Sequence, residues 1–174
     1  MCLKNLSIPF KGIIAFQQDK ALLKAIEITM LCEDILNQGV ELRIKVTCQS
    51  MRPVINANDV VTVKKVPAEK IRIGDLLLIK NNSGLLILHR LIKKERYVGY
   101  TVYRTKGDSL LIPDVGVTAD RIIGKVYKIE KLNKYRSNFF MINLESISGQ
   151  IFHSAMILLQ LIMVFCLRFR ASRK

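Results

Sequence analysis

Apolar positions recur at helical spacing near the start of the chain and alternate with polar ones through its middle. Leu22, Leu23, Ile26, Met30 and Leu31 fall three and four residues apart, and Asn37-Gln38-Gly39 then supplies a stop. Residues 1–40 therefore read as an N-terminal helical segment. Over residues 41–47 the period drops to two, with Leu42, Ile44 and Val46 on one face and Glu41, Arg43 and Lys45 on the other. Residues 60–66 are rich in β-branched side chains and end at Pro67. Two apolar runs, 76–79 and 85–88, flank Lys80-Asn81-Asn82-Ser83-Gly84, which has the composition of a hairpin loop. Residues 100–105 and 122–129 complete the strand set. The pattern predicts a mainly β domain over 41–131, a β-sandwich or partly closed barrel, because short strands follow one another with Gly and Pro between them. No internal repeat is visible, and no Gly-rich loop joins a strand to a helix, which disfavours a nucleotide-binding α/β fold.

Beyond residue 131 the character changes. Residues 132–174 read as a basic connector, an apolar helix and a cationic tail. Residues 151–167 carry no formal charge, although His153, Ser154 and Gln160 interrupt them, and Arg168, Arg170, Arg173 and Lys174 follow. A spanning helix needs about 20 apolar residues, with about 17 as the lower limit. The stretch suits a membrane span, an interfacial helix or a packing helix, and a span would favour a cytoplasmic C-terminus. Near the other end, residues 3–16 are interrupted by Lys4, Pro9 and Lys11 and do not read as a signal peptide. Residues 21–31 include Lys24 and Glu27, the pattern of a helix with one buried face rather than a span.

The chain has 174 residues, enough for one domain with a proper core. Its 28 Lys and Arg against 14 Asp and Glu give a net charge of +14, which suits an anionic partner such as a lipid surface or a nucleic acid. The cationic residues are spread along the chain and aromatics make up only 7%, so no nucleic-acid partner is expected. Cys2, Cys32, Cys48 and Cys166 lack the spacing of a zinc or redox motif and read as free thiols, mostly core fillers. His89 and His153 are the only histidines and neither has a nearby Cys, so neither a metal site nor a cofactor is expected.

Candidate chemistry starts at Cys48-Gln49-Ser50-Met51-Arg52-Pro53, where a serine follows a strand and precedes a Pro-terminated turn. Serine is common in turns, so this box alone says little. Further boxes follow in order: Asn58-Asp59-Val60-Val61, Ile73-Gly74-Asp75-Leu76, Leu88-His89-Arg90-Leu91, Thr105-Lys106-Gly107-Asp108, Pro113-Asp114 and Ile123-Gly124-Lys125-Val126. Their order and separation over residues 44–130 resemble the signal peptidase I family, within the superfamily that also holds LexA-like self-cleaving repressors. His89 in the base-bearing box makes the chain similar to the histidine branch, of endoplasmic-reticulum, archaeal and sporulation type, rather than to the lysine-base majority.

The resemblance implies a signal-peptidase/LexA-like β fold and a serine endopeptidase that cleaves an extended leader or signal peptide. Ser50 is then the nucleophile and His89 the general base and acid. Asp114 is the implied acidic partner and Asp108 the second candidate. The chemistry is sound on its own terms. A serine hydroxyl needs a base to remove its proton, and histidine can take that proton and return it to the leaving amine. A carboxylate fixes the imidazole tautomer, and the Ser50 backbone N–H can serve as an oxyanion donor. Met51 is expected to line a wall beside the nucleophile, and Arg52 to be a solvated charge. The implied partners are a peptide or protein substrate and a membrane contacted through 151–167, the bacterial inner membrane, with the side left open. The alternative is a catalytically inactive peptidase-like fold that binds extended peptides or a membrane partner. A DNA-binding repressor is disfavoured, because residues 1–40 are too short and apolar for a helix-turn-helix and no Ala-Gly pair offers a self-cleavage site.

Overall fold

The run Leu76-Leu77-Leu78-Ile79 is apolar without interruption because its strand is covered on both faces. Leu76 and Leu78 join one hydrophobic cluster, with Val61, Val63, Leu88, Ile123, Val126 and Ile129. Leu77 and Ile79 join another, with Ile71, Leu91, Tyr103, Val117 and Ile122. The sheet around this strand is laid out in a computed structural model that describes residues 13–132 and 139–144, together with Ala155 and Leu158. In chain order the elements are α1 (Ile13–Asn37), β1 (Leu42–Lys45), β2 (Val60–Lys64), β3 (Leu76–Lys80), β4 (Leu86–Tyr97), β5 (Tyr100–Lys106), β6 (Ile122–Leu132) and β7 (Phe139–Asn143). Short 3₁₀ turns at Ala68–Lys70 and Ala119–Arg121 precede β3 and β6.

The seven strands form one antiparallel sheet, six of them in the order β1-β2-β6-β3-β4-β5 and β7 paired to β6 off this path. The long strand β6 organises it. One of its edges pairs with β2 through residues 125–130. Its other edge is shared, by β3 at residues 122–125 and by β7 at residues 128–132. The end strands β1 and β5 do not pair, so the sheet is open. The fold is mainly β with one N-terminal helix, as expected, and of the expected sandwich or partly closed barrel the pairing shows one sheet that is not closed. Strand spacing reports how many strands there are, whereas closure depends on long-range register that no local pattern encodes.

The helix forms where expected and stops as expected. Gly39 takes φ +78°, its N–H bonds back to Leu36 and the N–H of Val40 bonds to Ile35, the paired bonds of a Schellman cap. The buried face differs from the one the spacing pointed to. Leu22, Leu23, Met30 and Leu31 are exposed, while Thr29 and Leu36 are buried. Glycines explain the choice. A Cβ on Gly84 would lie 3.5 Å from Ile26, and one on Gly124 would lie 3.4 Å from Leu36, so the helix settles where the sheet is thinnest. A Glu33–Lys80 ion pair of 2.7 Å ties it to the end of β3.

Both hairpins follow from local chemistry. Asn81 Oδ1 accepts the N–H groups of Ser83 and Leu85 in the β3–β4 loop. Val98-Gly99 turns β4 into β5 with Gly99 at φ +86°, and Tyr97 stacks on Tyr100 with ring centroids 5.2 Å apart. Two strand limits extend beyond expectation. β4 continues through Lys93-Lys94-Glu95-Arg96, a charged stretch whose far end pairs only with β5. β6 ends at Leu132 and β7 lies inside the segment read as a connector, so the sheet continues past residue 131. Among the described residues no helix is long and apolar enough to cross a membrane. The expected apolar helix at 151–167 lies outside the described residues, apart from Ala155 and Leu158, which are helical and exposed.

Candidate active site

Three segments meet at the site: the loop between β1 and β2, the start of β4, and the chain leaving β5. The first of these carries Ser50. It departs as a continuation of β1, with the N–H of Val46 bonded to Asp59 O and that of Asn58 to Val46 O. It then makes one tight turn, in which Ile55 N bonds to Met51 O at 2.9 Å. Met51, Val54 and Ile55 are buried in the core and anchor the turn, leaving Ser50 half-buried on its rim. Met51 therefore anchors the loop from inside the core, whereas Arg52 is exposed and donates to Gln49 Oε1.

His89 stands on β4 opposite Leu77 and is buried. Its Nε2 lies 3.2 Å from Ser50 Oγ, and its Nδ1 lies 2.5 Å from Asp114 Oδ2. An ionised carboxylate can only accept, so Nδ1 carries the proton and Nε2 is left to accept from the serine hydroxyl. Asp114 is held in turn by Thr105, whose hydroxyl donates to the same Oδ2 at 2.7 Å and whose carbonyl accepts the Asp114 N–H at 2.8 Å. Burial pushes the Asp114 carboxyl up, but the His89 and Thr105 hydrogen bonds and the His89 charge outweigh it and hold the group below its ordinary value.

That lowered value carries a sign for stability. The Asp114 contribution is full above the ordinary carboxyl pKa of about 4 and is lost as pH falls through the lower, folded value. Asp114→Asn is expected to remove part of the acid-induced loss of stability below about pH 4, read by urea unfolding of both proteins across that range. Parallel pH curves for the two would show that Asp114 is not held ionised.

Asp108 occupies a different position from the one considered for it. It accepts a two-pronged ion pair from Arg90, with Nε at 2.9 Å and Nη2 at 2.7 Å, and both side chains are almost fully buried. Arg90 also donates to Gly74 O at 2.9 Å. The contact with His89 belongs to Asp114, not to Asp108. The neighbouring Ser109 holds the Ser50 loop: its N–H bonds to Ser50 O at 2.9 Å, and its hydroxyl reaches the carbonyls of Gln49 and Ser50. Arg90, Asp108 and Ser109 thus connect the strand carrying His89 to the turn carrying Ser50.

The remaining boxes have structural tasks. Gly74 takes φ +95°, and Asp75 pairs with Lys125 at 2.9 Å. Asp59 accepts the Asn56 N–H and Lys131 Nζ. A Cβ on Gly124 would lie 2.6 Å from Val63. Gly107 faces the site itself, since a Cβ there would lie 2.8 Å from Ser50 O and 3.0 Å from His89 Nε2. Gly107→Ala is expected to push Ser50 and His89 apart and lower any Ser50 reactivity by about 100-fold, as a displacement near 1 Å does in preorganised sites. Labelling rates with a serine-directed phosphonate would measure it, and an unchanged rate would mean that the turn yields without cost.

Sequence reasoning missed Thr105, Ser109 and the role of Cys48. Thr105 lay within a quoted box, so its position was visible but its bond to Asp114 was not. Ser109 gave no signal. Cys48 is half-buried with its Sγ 3.5 Å from Ser50 Oγ, beside Ser50 rather than in the core. Cys32 is likewise a half-buried free thiol, and Cys2 and Cys166 lie outside the described residues. No grouping of three or more His, Cys, Asp or Glu suited to a metal occurs among the described residues. No protein-family model and no curated protein matches this chain.

Proposed function

We propose that this chain is a serine endopeptidase of signal-peptidase type, with Ser50 as nucleophile, His89 as general base and acid, and Asp114 as its acidic partner. The observation that carries the reading is His89 bridging Ser50 Oγ through one ring nitrogen and Asp114 through the other. In the acylation step His89 Nε2 takes the Ser50 proton as Oγ attacks the peptide carbonyl carbon. The tetrahedral intermediate collapses, and the same proton goes to the departing amine. Water, activated by His89, then hydrolyses the acyl-enzyme. The Ser50 N–H, which donates to no backbone carbonyl among the described residues, is available to the oxyanion. Thr105 keeps Asp114 turned toward His89.

Substrate delivery has a natural route. Among the described residues β1 pairs with β2 along one edge, and its chain runs on directly into Ser50. An extended peptide can add to the other edge as a strand, which presents successive backbone carbonyls to the nucleophile. The test is covalent: a serine-directed phosphonate incubated with the full chain should mark Ser50, located by peptide mass spectrometry, and His89→Ala should abolish the label. Absence of any adduct, combined with binding of extended peptides, would favour the inactive peptide-binding fold instead.

A further inference from the structure

The edge of β1 turned away from β2 has no partner strand among the described residues, and its backbone direction can be read from the next residue. Val46 turns both of its backbone groups toward β2: its N–H bonds to Asp59 O at 2.8 Å, and its carbonyl accepts the Asn58 N–H at 2.7 Å. Backbone groups alternate in direction along an antiparallel strand, so Lys45 turns its own N–H and C=O outward, to the open edge. A peptide added there bonds to the backbone of Lys45. The peptide residue opposite then carries its side chain on the same face as that of Lys45, with Cβ atoms about 4.5–5.5 Å apart.

That face is charged, and its other members are engaged. Glu41, Arg43 and Lys45 share it, while Leu42 and Ile44 lie half-buried on the opposite one. Glu41 accepts from the Tyr127 hydroxyl. Arg43 pairs with Glu130 at 2.6 Å, and Lys128 approaches the same carboxylate at 3.6 Å. Lys45 is exposed, and among the described residues no carboxylate pairs with it. Its register partner on β2 is Val60, whose side chain has no acceptor. Next in line on β6 stands Glu130, already held by Arg43 and Lys128. The open edge is the side from which a matching charge can come. A lysine on an edge strand keeps out strands that leave it unmatched, and the same charge admits one that brings a carboxylate.

We infer that Lys45 selects acidic extended peptides for the Ser50 site, by pairing with a Glu or Asp at the peptide position that faces it across the edge of β1. The inference rests on the reading that an extended peptide reaches Ser50 along β1. Its mark is positional. The peptide residues on either side of the acid point to the Leu42 and Ile44 face, so the preference belongs to one position and is absent from both neighbours.

Peptides of alanine and valine, each with glutamate, glutamine or lysine at a single scanned position, test it in two forms. In the first, the C-terminal residue is a phosphonate, so reaction with Ser50 fixes the register and the labelling rate of the full chain reads the preference. In the second, the peptide is unreactive and fluorescent, and polarisation reads its affinity for the full chain carrying Ser50→Ala. Glutamate should be favoured over lysine about fivefold at one position in both forms, the difference between an exposed matched pair and a like-charged one. Lys45→Glu should reverse the order at that position, and Lys45→Gln should level it. Arg96→Glu makes the same change in net charge near the turn of the β4–β5 hairpin and should leave the order as it was. Binding with this preference but no label on Ser50 would remove the peptidase reading and keep the inference. Labelling indifferent to charge would keep the peptidase reading and overturn the inference. It is overturned equally by a preference that spreads over neighbouring positions, that survives Lys45→Glu or that Arg96→Glu also reverses. Absence of both labelling and binding overturns it too, and would leave Lys45 as a guard against edge pairing alone.

Discussion

Replacing Ser50 by alanine is expected to lower peptide-bond cleavage by about 10,000-fold or more, the usual loss when a nucleophile acting as one unit with its base is removed. His89→Ala should cost a similar factor. The double variant should be no worse than either single one, because each removes the same proton-transfer machinery. Ser50 is half-buried on the rim of its loop, and among the described residues its oxygen is within hydrogen-bond reach of His89 and Cys48, so its loss should leave the thermal midpoint nearly unchanged. Parallel measurement of cleavage of an extended leader peptide and of thermal unfolding separates the two effects. Cleavage that survives in Ser50→Ala would remove the mechanism, and cleavage that falls together with the thermal midpoint would show damage to the fold instead.

The second large effect concerns stability. Asp108→Ala removes the carboxylate that pairs with the buried Arg90 guanidinium, and breaking a buried pair from one side typically costs about 3–5 kcal/mol. The urea midpoint should fall at an unchanged slope. Asp108→Asn should cost less, because it keeps the shape and an acceptor oxygen. Replacing both partners by apolar residues of similar volume should recover much of the loss, since the cost lies in the unpaired charge rather than in the absent pair. A loss below about 1 kcal/mol, the range of a surface pair, would mean that water reaches the site. Asp114→Asn should show a different balance, with most of the activity gone and, at neutral pH, the stability contributed by its lowered carboxyl pKa given up. That contrast separates two carboxylates that lie in the same stretch of chain.

Those two aspartates show where sequence reading reaches its limit. Both follow β5, both sit beside turn-forming residues, and either has the chemistry to orient an imidazole. The choice depends on Thr105, which binds Asp114 through two hydrogen bonds, and on Arg90, which captures Asp108. Neither link has a signature in spacing, because each joins a strand residue to the loop after β5, and the path of that loop is set by the fold. Ser50 and His89 stand out in the sequence through the ordered boxes and the resemblance those boxes carry; their separation of 3.2 Å is a product of the fold.

What the sequence determined by itself was local. The helix stop at Gly39, the Asn81–Gly84 hairpin, the alternation through β1 and the two-sided burial of β3 all follow from backbone preference and hydrophobic period acting over a few residues. Tertiary structure decided the rest. It left the sheet open, carried β4 through a charged stretch, placed β7 beside β6, and turned α1 onto the glycines rather than onto its most regular apolar stripe. The reason is common to all four. Register and face are selected by how well distant surfaces fit, and the free energy of that fit belongs to pairs of segments that the order of residues does not bring together.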